Sequence, residues 1–204
     1  KKKDLAKIDS GPAIVHFADL MNNAGDPDPV TVDLDNDVAV LQYTGGTTGR
    51  PKGAMLTQGN LSANVSQMLL WYVDLNPGEE KVLGILPFFH VFAMTAVMNF
   101  AVASGAQMIL LPRYELGQTL STISKKKPTI FPAVPTIYAA INQSPDLSKH
   151  DLSTVRYCIS GGAPLPLEVK ETFERLTGCR LVEGYGLSET APVATCNAMN
   201  DTNK

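Results

Sequence analysis

Short apolar runs alternate with helix-like stripes along most of this chain, and this alternation restricts the fold more than any other feature. Apolar residues recur at helical spacing from Leu61 to Tyr72, downstream of Thr57, a residue suited to cap a helix. Strands alternating with helices predict an α/β layered domain with a mainly parallel sheet. We expect the first strand to be covered on both faces because it is almost entirely apolar. The predicted strands are residues 38–43, 82–86, 107–111, 129–131, 155–159 and 180–183.

Length and composition exclude several classes of protein. The 204 residues suit one compact domain or two very small ones, and a hydrophobic fraction of 44% excludes a disordered tail. Seventeen Lys and Arg residues stand against twenty Asp and Glu residues, for a net charge of −3. A protein that neutralises phosphates along a nucleic acid normally has a basic excess. We therefore expect no nucleic-acid partner.

Cysteine usage and one charge-free stretch bear on the compartment. Cys158, Cys179 and Cys196 form no C-x-x-C pair, which favours a reducing compartment, and we expect a cytoplasmic protein. Residues 82–112 carry no charged side chain. Proline and polar residues interrupt this stretch, so two strands and a helix over residues 91–103 fit it better than a membrane span. Peripheral contact of a longer protein with a membrane stays open as an alternative.

A loop rich in glycine and threonine follows the first predicted strand. Its residues combine the properties of a phosphate grip: glycines allow backbone N–H groups to converge on an anion, hydroxyls donate hydrogen bonds, and lysine adds a positive charge. The nucleotide P-loop pattern G-x-x-x-x-G-K-[ST] does not fit, because Lys52 lies between Pro51 and Gly53. The residues that make up the predicted grip are Thr44, Gly45, Gly46, Thr47, Thr48, Gly49 and Lys52.

With three later motifs, this loop identifies a family resemblance. Residues 43–53 resemble the phosphate-loop signature of the adenylate-forming superfamily, which includes acyl-CoA synthetases, peptide-synthetase adenylation domains and luciferases. Residues 86–93, Leu-Pro-Phe-Phe-His-Val-Phe-Ala, resemble its aromatic–histidine motif. Residues 160–165, Ser-Gly-Gly-Ala-Pro-Leu, match the turn that borders adenine, and residues 183–189, Glu-Gly-Tyr-Gly-Leu-Ser-Glu, match the Y-G-x-[ST]-E motif. The resemblance covers residues 38–195 and is strongest to bacterial long-chain fatty-acid–CoA ligases.

The resemblance implies a reaction and a set of site residues. In the family, a carboxylate and ATP form an acyl-adenylate and pyrophosphate, and the acyl group then passes to the thiol of CoA. The loop containing Lys52 is expected to hold the β- and γ-phosphates, Glu189 to bind Mg²⁺, and His90 to lie beside the substrate carboxylate. The remaining residues implied in ATP binding are Gly162, Ala163, Glu183, Gly184, Tyr185, Gly186 and Ser188, with Ser188 at the α-phosphate and Tyr185 against adenine.

The resemblance also implies the organisation of the chain and leaves alternatives open. Residues 1–37 are an acidic, partly irregular lead-in, residues 38–195 belong to the large N-terminal domain of the family, and residues 196–204 are a tail. We expect a central piece of a longer enzyme that is inactive by itself, because the family's ribose-binding Asp and catalytic Lys do not appear. Two alternatives to a fatty-acid ligase are a ligase for aryl or medium-chain acids and a non-catalytic module that binds nucleotide or acyl groups. Chain length and oligomeric state stay open.

Overall fold

A computed structural model of the protein describes residues 15–22, 25, 29–45 and 51–199. The chain divides into two compact units, residues 1–32 and residues 33–204. In the described part of the first unit, helix α1 spans Phe17–Leu20, and none of its residues is buried.

The second unit contains alternating strands and helices. Its strands are β1 (Val38–Thr44), β2 (Lys52–Thr57), β3 (Lys81–Gly84), β4 (Gln107–Leu110), β5 (Tyr157–Ser160), β6 (Arg180–Gly186) and β7 (Val193–Cys196). Its α-helices are α2 (Gln58–Trp71), α3 (Val91–Ala93), α4 (Phe100–Ser104), α5 (Leu116–Lys126), α6 (Pro135–Asn142) and α7 (Leu167–Thr177). A π-helical segment, Met94–Asn99, joins α3 to α4, and short 3₁₀ turns span Leu147–Lys149 and Ser188–Thr190.

The central sheet is mainly parallel. Strands β3 and β4 pair in parallel, as do β5 and β6. Ile130 joins the two pairs through parallel bridges to Val82 and Tyr157, in place of the short strand predicted at residues 129–131. Strand β7 then pairs antiparallel with β6. Four of the predicted strands therefore lie in one parallel array, as the alternation of strands and helices indicates.

Helices cover both faces of this sheet. Leu83, Phe131, Cys158 and Leu181 point to one face, where they pack with buried residues of α5, α6 and α7. The neighbouring residues along the same strands, such as Val82 and Ile159, point to the other face and pack with α2 and the helical run 91–104. Successive strand residues alternate between faces, so runs that are apolar throughout require cover on both sides. This arrangement confirms the predicted α/β layered fold.

The first strand forms where it was predicted, but the expectation that it is covered on both faces is wrong. No residue of β1 is fully buried, and Leu41 and Tyr43 are 59% and 68% exposed. β1 lies outside the parallel sheet, in a two-stranded antiparallel hairpin with β2, a strand that the pattern did not predict. One face of the hairpin packs through the buried Leu56, while Met55 on the other face is 69% exposed. A short apolar run has the same pattern in a hairpin and in a buried sheet, which explains the error.

Local signals place the helices correctly. Thr57 caps α2: its hydroxyl accepts the Asn60 N–H at 3.2 Å, and the Asn60 side chain accepts the Thr57 N–H at 3.0 Å. This reciprocal pair satisfies two N–H groups that a helix start leaves without partners. At the other end of the domain, α7 stops at Gly178, whose φ of 72° is the left-handed conformation that glycine adopts easily.

A buried carboxylate fastens the amino-terminal edge of the sheet. Glu80 is 2% exposed and accepts hydrogen bonds from the Asn76 N–H at 3.0 Å, from the Thr129 hydroxyl and from the Arg156 guanidinium. Burial raises the pKa of Glu80, but the three hydrogen bonds and the charge of Arg156 outweigh burial and hold this pKa below its ordinary value. The cluster ties the starts of β3 and β5 together.

The charge-free stretch folds as two strands and a helix rather than as a membrane span. It contains β3, the helical run 91–104 and β4, with Val82, Leu83 and Phe100 fully buried in the domain. Within the described ranges, no helix has the length and apolar character needed to cross a membrane.

Candidate active site

Three loops meet at the carboxyl edge of the parallel sheet. The loop after β3 leads to His90, the loop after β5 begins at Gly161, and the segment after β6 contains Ser188 and Glu189. Parallel strands end at the same edge, so residues far apart in sequence become neighbours there. The first of these loops ends where α3 begins, and the last continues into β7.

A cleft of about 340 Å³ lies between these loops and the end of β1. Eight predicted site residues line it: Thr44, His90, Gly162, Gly184, Tyr185, Gly186, Ser188 and Glu189. The cleft thus brings together one residue or more from each of the four motifs. Its further lining residues are Val91, Phe92, Ile159, Gly161, Leu187, Pro192 and Val193.

His90 has a fixed orientation in this cleft. It is the N-cap residue of α3, and its Nδ1 accepts the backbone N–H of Phe92 at 3.2 Å. A neutral imidazole carries one proton, so an accepting Nδ1 places that proton on Nε2. His90 is exposed at the cleft rather than buried in the core. The ring therefore offers an oriented N–H donor to a ligand oxygen.

Two glycines let the backbone approach closely at the cleft wall. Gly162 has a φ of 82°, a conformation that strains any residue with a side chain. A Cβ atom on Gly186 would lie 2.1 Å from the Pro192 carbonyl oxygen, so no side chain fits between β6 and the returning chain. The wall therefore exposes backbone rather than side chains to a ligand.

Two acidic residues of the last motif have different surroundings. The Glu183 carboxylate accepts the backbone N–H of Leu165 at 3.0 Å and so fastens the turn that contains Gly162 and Ala163. Neither Glu183 nor Ala163 lines the cleft. Glu189 lies in the 3₁₀ turn Ser188–Thr190, is exposed, and is one of the residues that line the cleft.

The predicted phosphate grip is described at its two ends only. Thr44 ends β1 and Lys52 begins β2, and the two are cross-strand partners. The Thr44 hydroxyl donates to the Lys52 carbonyl at 3.4 Å, so Lys52 lies directly beside a cleft-lining residue. Gly45 is exposed and lies next to Thr44 outside the lining. The remaining predicted residues of this loop, Gly46, Thr47, Thr48 and Gly49, lie outside the described residues.

The donor set at the cleft fits a magnesium ion that arrives with a phosphate ligand. Over the part of the chain that the structure describes, no group of three or more His, Cys, Asp or Glu side chains could hold a metal ion. Mg²⁺ is commonly bound by one or two carboxylates together with substrate phosphates and water. Glu189 supplies one such carboxylate, so it would be the protein ligand and a triphosphate would supply the others.

A second, mainly apolar cavity adjoins the cleft. It has a volume of about 550 Å³ and lies between α2 and β7, with Met68, Trp71 and Tyr72 in its wall. Ile159 and Val193 line both this cavity and the cleft. The sequence pattern does not predict this cavity, because it does not predict β7 and because the position of β7 beside α2 depends on a tertiary contact.

The fold and the cleft define a class: an α/β protein with a cleft for a small ligand beyond the carboxyl ends of its parallel strands. A match to a protein family identifies the class more closely. The family described as AMP-binding enzyme matches residues 3–204, and the chain belongs to that family. The resemblance inferred from the four motifs is thereby confirmed.

Individual relatives agree with this assignment. The chain is 53% identical over 173 residues to a long-chain-fatty-acid–CoA ligase of Bacillus subtilis, a match that covers 85% of this chain and 31% of that protein. It is 38% identical over 200 residues to 4-coumarate–CoA ligase 1 of Petroselinum crispum, covering 94% and 36%. The chain therefore spans about a third of the length of these relatives.

Solved structures show the same fold. The inhibitor-bound N-terminal domain of FACL13 from Mycobacterium tuberculosis superposes with a TM-score of 0.78 at 30% identity, covering 89% of this chain and 44% of that one. Apo MatB from Rhodopseudomonas palustris gives a TM-score of 0.74 at 31% identity, covering 83% and 32%. The layered α/β architecture is thus that of adenylate-forming enzymes.

Proposed function

We propose that this chain is part of an ATP-dependent fatty-acid–CoA ligase and contributes the site of acyl-adenylate formation. The observation that carries the proposal is the convergence of four separate motifs on one cleft, which His90, with its ring oriented by Phe92, and Glu189 both line. Two relatives with CoA-ligase names support the reaction class.

The proposed chemistry has two steps. A carboxylate oxygen attacks the α-phosphorus of ATP, the bond from that phosphorus to the bridging oxygen breaks, and pyrophosphate leaves with both electrons. The CoA thiolate then attacks the carbonyl carbon of the acyl-adenylate, and AMP leaves as the carbon–oxygen bond breaks. Carboxylate and triphosphate repel each other, so oriented donors and positive charge at the reacting oxygens lower the barrier of the first step.

Each described site residue has a role in this proposal. His90 donates from Nε2 to an oxygen of the carboxylate or the α-phosphate. Lys52 lies beside Thr44 and neutralises the leaving phosphates, and Tyr185 and Gly162 form the wall beside the adenine. Mg²⁺, held through Glu189, would offset charge on the phosphate oxygens.

The large apolar cavity supports a fatty acid as the substrate. A long alkyl chain needs a dry, elongated space next to the reacting carboxylate, and the 550 Å³ cavity shares Ile159 and Val193 with the cleft. The similarity to 4-coumarate–CoA ligases keeps an aromatic acid as the second candidate. A third candidate is a module that binds nucleotide without catalysis.

The test is carboxylate-dependent exchange of labelled pyrophosphate into ATP by the full-length protein, with palmitate, octanoate and 4-coumarate supplied separately. Highest exchange with palmitate supports the proposal, and highest exchange with 4-coumarate supports the aromatic alternative. Nucleotide binding without exchange for any of these acids would contradict the ligase assignment and favour the non-catalytic module. Met68→Trp, which narrows the apolar cavity, should lower exchange with palmitate more than exchange with octanoate.

A further inference from the structure

A buried threonine connects the helix that His90 caps to the turn that contains Glu189. Thr95 is 0% exposed and lies in the π-helical segment that continues α3. Its hydroxyl donates to the Ala191 carbonyl oxygen at 2.8 Å, across 96 residues of sequence. The neighbouring residues Met94, Ala96 and Val97 are buried and apolar, so this hydroxyl is an isolated polar group in an apolar environment.

The acceptor of this hydrogen bond directly follows the turn with Glu189. Ala191 caps the carboxyl end of the 3₁₀ turn Ser188–Thr190, is 2% exposed and has a φ of 70°. A residue with a side chain adopts this left-handed conformation only where its surroundings hold it there. The Thr95 hydroxyl is one such constraint on Ala191, and packing against Val91, Met94 and Leu56 is another.

No side-chain hydrogen bond fixes the Glu189 carboxylate within the described residues. The carboxylate accepts no hydrogen bond from the described residues, and Glu189 is exposed where it lines the cleft. The position of this carboxylate therefore depends on the backbone of its turn. On one side, that turn is closed by the Thr190 hydroxyl, which accepts the Leu187 N–H at 3.0 Å. On the other side, it is held at Ala191 by Thr95.

We propose that Thr95 is a positioning residue that sets the location of Glu189 relative to His90. This inference rests on the proposed function, since it assigns Thr95 to the same adenylation site. His90 caps the helical run 91–104, and the same run carries Thr95, whose hydroxyl holds the turn at Ala191. A shift of the turn would therefore move the metal-binding carboxylate away from the histidine donor while leaving the fold intact.

A second anchor keeps the turn in place when Thr95 is altered. The buried Asn64 carboxamide donates to the Val193 carbonyl at 2.8 Å and accepts the Val193 N–H at 3.2 Å. Removal of the Thr95 hydroxyl should therefore displace the turn slightly rather than unfold it. A displacement of about 1 Å at reacting groups can lower a rate by about 100-fold.

The experiment compares Thr95→Val and Thr95→Ser in the full-length enzyme. Valine keeps the volume and removes the donor, while serine keeps the donor. Thr119→Val is the matched control: Thr119 is also 0% exposed and donates to a carbonyl, that of Glu115, at 2.8 Å, but it belongs to α5 on the other face of the sheet. Each variant is assayed for pyrophosphate exchange, for thermal unfolding, and for binding of a non-hydrolysable ATP analogue with Mg²⁺ and with EDTA.

We expect Thr95→Val to lower the kcat of exchange by about 10- to 100-fold and to lose most of the affinity gained from Mg²⁺. Thr95→Ser should restore both, and Thr119→Val should match the unmodified enzyme in both despite a comparable loss of thermal stability. Equal behaviour of Thr95→Val and Thr119→Val would overturn the inference.

The measurements of nucleotide binding with Mg²⁺ and with EDTA distinguish this inference from the proposed function. An unmodified enzyme without carboxylate-dependent exchange contradicts the ligase proposal, yet a selective loss of Mg²⁺-dependent affinity in Thr95→Val would still support the placement of Glu189 by Thr95. An unmodified enzyme that exchanges pyrophosphate but binds nucleotide equally well with Mg²⁺ and with EDTA overturns the inference and leaves the ligase proposal standing.

Discussion

Two substitutions of His90 separate its structural role from its proposed chemical role. Nδ1 caps α3 by accepting the Phe92 N–H, and Nε2–H is the donor offered to the cleft. His90→Ala removes both functions. His90→Asn supplies a side-chain oxygen that can accept the same N–H, because asparagine is among the best N-cap residues, but it does not reach the position of Nε2.

The two roles have different magnitudes. Loss of an N-cap acceptor costs about 0.5–2 kcal/mol of stability, and the cost should fall near the lower limit here because the Phe92 N–H is at 3.2 Å. Loss of one donor to a developing charge lowers kcat by about 10²- to 10³-fold, or about 2.7–4 kcal/mol. We therefore expect His90→Ala to be slightly destabilised and His90→Asn to be as stable as the unmodified enzyme, with both severely impaired in adenylation.

Urea unfolding and pyrophosphate exchange, measured on the same preparations of the full-length enzyme, check this expectation. The informative variant is His90→Asn, since it retains the cap. Exchange by His90→Asn at the rate of the unmodified enzyme would refute the reasoning and reduce His90 to a helix cap.

Three further predictions concern charged residues. Glu189→Gln should lower adenylation by about 100-fold or more without loss of stability, since an exposed amide supplies no charge to Mg²⁺; near-normal exchange at saturating Mg²⁺ would contradict this. Lys52→Ala should weaken ATP binding by about 1.5–3 kcal/mol and leave acid preference unchanged, and titration calorimetry with each substrate separates these effects. Glu80→Gln should cost about 1–3 kcal/mol at neutral pH. Folding lowers the pKa of Glu80, so the stability that its charge contributes is complete above the unfolded pKa and is lost as pH falls through the folded pKa. The free energy of unfolding of Glu80→Gln in urea should therefore depend less on pH below about 4.5 than that of the unmodified protein.

Local chemistry made the main elements of the fold predictable. The Thr57 cap and the Gly178 stop depend on residues within a few positions, and the buried strands are apolar on both faces, so their patterns are visible in the sequence. The hairpin was predicted incorrectly because β1 has an apolar run like that of a buried strand, whereas β2 begins with Lys52 and Gly53 and looks like a loop. Its pairing with β1 depends on a long-range contact that periodicity does not encode.

The candidate site was also predictable only in part. Glycine, threonine and charged residues in loops identified most of the cleft, since their conformational and chemical demands are local. Asn64 and Thr95 were missed although both are almost fully buried. Thr95 interrupts an apolar run, and Asn64 lies on the apolar stripe of α2, three residues after Leu61 and four before Met68; these would have been the available signals. The partners of these side chains, Val193 and Ala191, are 129 and 96 residues away, and only the tertiary structure reveals them.

The contact between Asn64 and β7 also has a consequence for solubility. In a strand, each residue presents its N–H and C=O to the same side, and at a sheet edge these groups can recruit a strand from another molecule. The Asn64 carboxamide occupies this pair at Val193 with the donor and acceptor that a neighbouring strand would have supplied. Helix α2 thus closes the edge of β7 to foreign chains at that residue, and a chain with alanine at position 64 would be open to edge-to-edge aggregation there.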